Sequence, residues 1–280
     1  MTYKTILVCL DEVNRIAALA AASARIAGLT EAHVRGLYVI PAAQIYPSTG
    51  FEAVPQVFEG HRTYFQTNKD SVRSAFEQAM TRQGVTFDFI AVEGRSPLIA
   101  DEVLNHGRSC DLILMHATDP AQVSGVELDY IERVVMAVGR PVLVLPRQGS
   151  AELKLDEVIV GWNAHREATR AVFDALPLLK AAASVRLVWV DPQREADLQG
   201  AVAGADLAES LARHGVKATA EGLPSGGVDA GAALLQRAAD TGAGLLVMGA
   251  YGHSRLREFV FGGATRLVLD KMTVPVLMSH

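Results

Sequence analysis

Short runs of apolar residues, each closed by a polar residue or a glycine and followed by an amphipathic segment, recur along the chain in one fixed order. Lys4-Thr5-Ile6-Leu7-Val8-Cys9-Leu10-Asp11 opens the first set, and an alanine-rich helical pattern follows from Arg15 to Ala27. Glu157-Val158-Ile159-Val160-Gly161-Trp162-Asn163 opens the second, with helical periodicity from Arg166 to Lys180. Each half then gives a β-like run (33–40 and 185–190), a helical stretch, and a short strand (86–92 and 216–221). A helix (97–106 and 229–240) and a strongly apolar strand (111–115 and 245–248) come next. Both halves close alike, on Pro141-Val142-Leu143-Val144-Leu145 and on Pro275-Val276-Leu277-Met278. Near-continuous apolar strands alternating with helices predict parallel sheets buried on both faces. The repeat therefore predicts an α/β protein with two tandem, open, five-stranded parallel-sheet domains, each with helices on both faces. The polar stretch Gln148-Gly149-Ser150-Ala151-Glu152 divides them, giving domains at 1–148 and 153–280. One connection differs: Pro41 to about Glu59, with Pro47, Gly50 and Pro55, reads as an irregular excursion, where the second half has an Asp191-Pro192 turn.

Composition narrows the function classes. A chain of 280 residues with 50% hydrophobic and 20% charged residues has enough apolar material for two cores and is not disordered. Aromatic residues are only 6%, so Ala, Val, Leu and Ile must fill those cores. A net charge of −5 argues against nucleic acid or an anionic membrane as the partner. Two cysteines, Cys9 and Cys110, fit a reducing compartment, and their places at opposite ends of their strands argue against a disulfide between them. The first apolar run, Ile6 to Leu10, is interrupted by Asp11 and is too short for a signal-peptide core. No stretch reaches the ~20 apolar residues of a membrane helix. The expectation is a cytoplasmic protein.

Candidate chemistry concentrates after the fourth strand of the second half. In parallel sheets, ligands bind beyond the carboxyl ends of the strands. There, Leu245-Leu246-Val247-Met248-Gly249 ends in a glycine, Gly252 follows, and Gly262-Gly263 opens the last helix. Glycines at these points permit positive φ and close approach of backbone N–H groups to an anion, and the helix N-terminus adds partial positive charge. The segment describes a phosphate cradle. It is not a Walker loop, because no Gly-Lys-Ser/Thr element follows.

This Gly-x2-Gly-x9-Gly pattern, between the fourth strand and the last helix of a five-stranded unit, resembles the universal stress protein family. The resemblance spans the chain as a tandem of two such domains and implies an adenine nucleotide alpha hydrolase-like, Rossmann-like fold. It implies ATP or a related adenine nucleotide as ligand, possible with Mg2+, with little or no turnover. By the resemblance, Gly249, Gly252 and Gly262 are the phosphate-loop glycines, while Gly263 replaces a family hydroxyl residue and Thr265 lies two positions later. Asn163 stands where the family has an adenine-side Asp, and Val190 matches a residue that contacts the base. His253 and Arg255 fall inside the loop, where they face either phosphates or solvent.

The first half departs further. Its equivalent segment, Leu114-Met115-His116-Ala117-Thr118-Asp119-Pro120, is followed by no spaced glycines except Gly125. Asp119, Glu127 and Asp129 place negative charge where phosphates would lie, so this half reads as unable to bind ATP in the family manner. Cys9, Asp11 and His116 come together at neighbouring strand ends, as a zinc-type cluster or as a buried thiol beside two satisfied polar groups. Arg266 and Lys271 on the last helix read as solvated, and Trp162 and Trp189 fall beside the adenine region. No Gly-x-Ser-x-Gly elbow and no assignable general base occur, so no catalytic residue is named. Three readings follow: a nucleotide-binding stress or signalling protein, a non-nucleotide scaffold forming an intramolecular pseudo-dimer, and a metal or small-ligand protein using the first half. The closing strands leave room for homo-oligomer assembly between chains.

Overall fold

The computed structural model describes residues 2–43, 55–119, 126–192, 204–252 and 263–280. Packing divides the chain into two compact units, Tyr3–Val138 and Gly139–His280.

The N-terminal unit runs β1 (Thr5–Leu10), α1 (Ile16–Thr30), β2 (His33–Ile40), α2 (Pro55–Gln83), β3 (Phe87–Glu93), α3 (Ile99–Gly107), β4 (Leu112–His116) and α4 (Tyr130–Ala137). Its strands lie in the order β3-β2-β1-β4, every pair parallel. Ile6 aligns with Val34 on one side and Leu112 on the other, which places the ends of β1 and β4 together. The central strand β1 is buried from Ile6 to Leu10, whereas the edge strand β3 is half-exposed along its length. α1 turns Ile16, Leu19, Ala20 and Ile26 inward, and its small alanines let it approach the sheet closely.

The C-terminal unit runs β5 (Val142–Leu145), β6 (Glu157–Gly161), α5 (Arg166–Asp174), α6 (Leu176–Ala181), β7 (Ser184–Val190), α7 (Ala205–Arg213), β8 (Ala218–Leu223), α8 (Ala230–Thr241), β9 (Leu245–Gly249), α9 (Gly263–Lys271) and β10 (Val276–Ser279). The strand order β8-β7-β6-β9-β10 repeats the order seen in the first unit, again with parallel pairs. Asp229 caps α8 by accepting the Gly231 N–H at 2.7 Å, and Gly242 ends that helix at φ 65°.

Three features differ from the sequence pattern. β5, read as the last strand of the first set, groups with the C-terminal unit, where it runs antiparallel to β10 with Leu143 opposite Leu277. The packing boundary therefore falls at Gly139, one strand earlier than the 148–153 stretch that divides the repeat. The helix read from Arg166 to Lys180 is broken at Ala175, because Pro177 starts a new helix in its first turn and cannot continue the old one. Finally, α2 begins at Pro55, inside the stretch read as irregular to about Glu59. Proline at the first helical position is pre-organised for that role. Pro47 and Gly50 lie outside the described residues.

Candidate functional site

A cavity of about 390 Å3 opens at the carboxyl ends of β6, β7 and β9 in the C-terminal unit. Asn163, Gly249, Gly252, Gly263 and Thr265 contribute to its lining, and Val190 joins them from the end of β7. Trp162, Trp189, Leu234 and Met248 supply much of the apolar wall. Six of the residues singled out in the sequence thus meet in one pocket. His253, Arg255 and Gly262 lie outside the described residues.

The backbone around this pocket is held in unusual conformations. One non-glycine residue follows each of the three strands in the left-handed region: Ala164 after β6 (φ 58°), Asp191 after β7 (φ 50°) and Tyr251 after β9 (φ 58°). Such residues store energy and cluster where structure serves a site. Local hydrogen bonds hold each of them. The Asn163 Oδ1 accepts the His165 N–H at 3.1 Å across Ala164, an Asx turn. The Asp191 carboxylate accepts from the Ser225 N–H at 2.8 Å and its hydroxyl at 2.6 Å. The buried Thr265 hydroxyl accepts the Tyr251 N–H at 3.2 Å, so Thr265 pins the loop that leaves β9.

Gly249 has a packing reason. A Cβ there would lie 2.5 Å from the Ala168 backbone nitrogen and 2.6 Å from the Glu167 carbonyl carbon. Only a residue without a side chain lets the first turn of α5 press onto the end of β9 and form the pocket floor. Gly252 and Gly263 are exposed, and each has a carboxylate nearby. A Cβ on Gly252 would meet the Glu167 Oε2 at 3.0 Å, and one on Gly263 would meet the Asp229 Oδ2 at 3.5 Å.

Glu167 is the pocket residue that the sequence reading missed. It lines the cavity with a side chain only 6% exposed, and its Oε1 accepts the Arg166 Nε–H at 2.5 Å. Burial pushes its carboxyl up, but the Arg166 hydrogen bond and a backbone N–H outweigh that and leave it below the ordinary value. The carboxylate is therefore charged at neutral pH. His280 also belongs to this neighbourhood: its Nδ1 lies 3.0 Å from the Ala250 carbonyl oxygen. An acidic residue in the first turn of a helix is a recognisable signal, but it points to the helix dipole rather than to a pocket.

At the corresponding strand ends of the N-terminal unit, side chains contact one another. Arg15, 11% exposed, donates through Nη1 to the His116 Nδ1 at 2.5 Å and to the Ala117 carbonyl at 2.8 Å. Its Nε donates to Glu12 at 3.2 Å, and Asp119 lies 3.8 Å from its Nη2. Burial and the guanidinium lower His116 to about 4, so it stays neutral with Nδ1 as acceptor. Burial raises Asp11 to about 6 against the opposing pull of Arg15.

These contacts correct the cluster reading of Cys9, Asp11 and His116. The Cys9 thiol is buried, pushed up to about 12, and shares a hydrogen bond with Tyr130. His116 Nδ1 is taken by Arg15, and no group of three metal-ligating side chains is assembled among the described residues. Asp119 faces a guanidinium, Asp129 pairs with Arg133 at 2.7 Å, and Glu127 accepts the Ile99 N–H at the start of α3. Gly125 lies outside the described residues. Neither Cys9 nor Cys110 is in a disulfide, and both are buried.

The same fold occurs in known proteins. The universal stress protein family model matches residues 154–280. That stretch carries β6 to β10 and every described lining residue of the pocket. Universal stress protein Slr1230 of Synechocystis is 31% identical over 154 residues, which cover 52% of this chain and 49% of that protein. The match thus spans about half the length of that relative. A universal stress protein from Archaeoglobus fulgidus aligns over 99% of this chain and 96% of its own, with a TM-score of 0.74 and 16% identity. A functionally unknown protein from Pseudomonas aeruginosa aligns over 99% and 92%, with a TM-score of 0.61 and 14% identity. At those identities the two structures establish the α/β fold. Among the described residues, no helix is long and apolar enough to cross a membrane.

Proposed function

We propose that the C-terminal unit binds an adenine nucleotide, ATP or a related one, and that the protein works as a stress-response or signalling module with little or no turnover. The observation that carries this reading is the meeting of Asn163, Val190, Gly249, Gly252, Gly263 and Thr265 in one cavity of about 390 Å3 at the carboxyl ends of three parallel strands. That volume is in the range of small-ligand sites.

The residues suit the nucleoside portion of such a ligand. Trp162, Trp189 and Val190 offer apolar surface for a base, and Asn163 offers an amide donor while its oxygen is held by His165. The open, side-chain-free faces of Gly252 and Gly263 leave backbone accessible for phosphate. A bound nucleotide would stabilise the unit by mass action and alter the surface presented to partners. The reading of a tandem pair with one working site rests on the repeated strand order and on Arg15 lying at the first unit's equivalent strand ends, where it contacts His116 and Ala117.

Calorimetric titration of the full chain with AMP, ADP and ATP in magnesium buffer tests the proposal. At least one should bind at millimolar concentration or tighter, with a change in tryptophan fluorescence. Gly252→Asp should abolish the signal, because the new carboxylate enters the pocket beside the Glu167 Oε2. Absence of any signal, or equal binding by the variant, would sink the reading.

A further inference from the structure

The adenine-nucleotide reading treats the pocket as receptive to phosphate, yet the buried charge among its described residues is of the wrong sign. Glu167 is an ionised carboxylate lining the cavity, with its Oε2 directed to the position where Gly252 would carry a Cβ. Its partner Arg166 is 80% exposed, so the neutralising guanidinium spreads into solvent while the carboxylate faces the cavity. Asp229 lies at the other glycine: one oxygen is committed to the α8 cap and the other sits near Gly263. Gly252 and Gly263 are thus each accompanied by a carboxylate. The base end, lined by Trp162, Trp189 and Val190, carries no such charge.

Like charges a few ångströms apart in a partly desolvated site repel strongly, because screening by water is weak there. The repulsion grows with each phosphate and is absent for a neutral nucleoside. We propose that Glu167 is a specificity-determining residue that makes the pocket select against phosphate charge, so that it takes an adenine nucleoside in preference to metal-free ATP. This rests on the adenine-nucleotide reading of the pocket. Glu167 acts as a charge filter: the apolar wall supplies affinity for base and ribose, and the carboxylate subtracts affinity in proportion to the negative charge that follows them.

Titrations of the full chain with adenosine and with ATP, in a chelator-containing buffer that keeps divalent cations out, test this. Wild type should bind adenosine at least roughly tenfold more tightly than ATP, a ratio equivalent to about 1.4 kcal/mol. Glu167→Gln keeps the side-chain shape and an acceptor for Arg166. It should tighten ATP by about tenfold or more while moving adenosine by less than about twofold. Asp229→Asn, which preserves the cap acceptor, should shift the ratio the same way by a smaller factor. A wild type that prefers ATP, or a ratio unchanged in Glu167→Gln, overturns the inference and leaves the nucleotide reading standing. Failure of both ligands to bind either protein overturns the nucleotide reading, and the inference with it. A far-UV and near-UV circular dichroism match between variant and wild type separates a charge effect from misfolding.

Discussion

Gly249→Ala is the most demanding local test of how the pocket is built. The added Cβ would fall 2.5 Å from the Ala168 nitrogen and 2.6 Å from the Glu167 carbonyl carbon, both backbone atoms that no rotamer change can move. Ordinary contacts begin near 3.4 Å, so α5 or β9 must retreat by roughly an ångström. Overpacking of this kind costs about 1–3 kcal/mol. The opposing gain, a less flexible unfolded chain, is only about 0.4–1 kcal/mol. The clash wins. A clash against two backbone atoms lies at the upper end of that range, so the net loss of about 2 kcal/mol lowers Tm by about 4–8 °C. Both tryptophans of the chain, Trp162 and Trp189, lie in the C-terminal unit and line the pocket, so thermal unfolding followed by tryptophan fluorescence reports on this unit. Ligand affinity should fall as well, since Glu167 and Ala168 both line the cavity. A variant that melts within a degree of wild type and binds equally well would refute the close-packing argument.

Other perturbations probe separate links. Ala164→Gly should stabilise the protein by about 0.5–1 kcal/mol, because relief of the left-handed conformation at φ 58° exceeds the added chain entropy; chemical denaturation monitored by tryptophan fluorescence checks the sign. Asp11 and His116 should act on stability in opposite senses. The native state holds the Asp11 proton up to about 6, so that contribution falls as pH rises from 3.8. The native state refuses the His116 proton down to about 4, so that contribution rises with pH up to 6.5. Each is worth roughly 2–3 kcal/mol at full development, and in wild type they offset one another. Asp11→Asn should leave stability rising between pH 4 and 6.5, and His116→Gln should leave it falling; urea unfolding by circular dichroism across that range checks both slopes.

Much of the architecture was legible because burial on both faces imposes a simple code. β1, β4, β6, β9 and β10 are nearly solid apolar runs, and the order of elements repeats. The three differences have local physical causes. Pro177 splits a helix that periodicity alone carried through, Pro55 starts a helix instead of extending a loop, and β5 pairs across the repeat boundary with β10. Glycine spacing pointed to residues that line a pocket in the structure, because a glycine without a turn-forming role still marks close approach, as at Gly249. Glu167 stayed hidden. In sequence it is an ordinary acidic residue in a first helical turn, and only the contact between α5 and β9 turns it into the pocket. Arg15 was equally opaque: its reach to His116, 101 positions away, depends on β1 and β4 being neighbours.

The central claim is one nucleotide site per chain, in the C-terminal pocket, despite a duplicated strand order. The stoichiometry of calorimetric titration with an adenine nucleotide tests it most directly. The account expects a single equivalent per 280-residue chain, lost in Gly252→Asp and untouched by Arg15→Ala. Two equivalents in wild type, or a single equivalent that survives Gly252→Asp and disappears with Arg15→Ala, would contradict it.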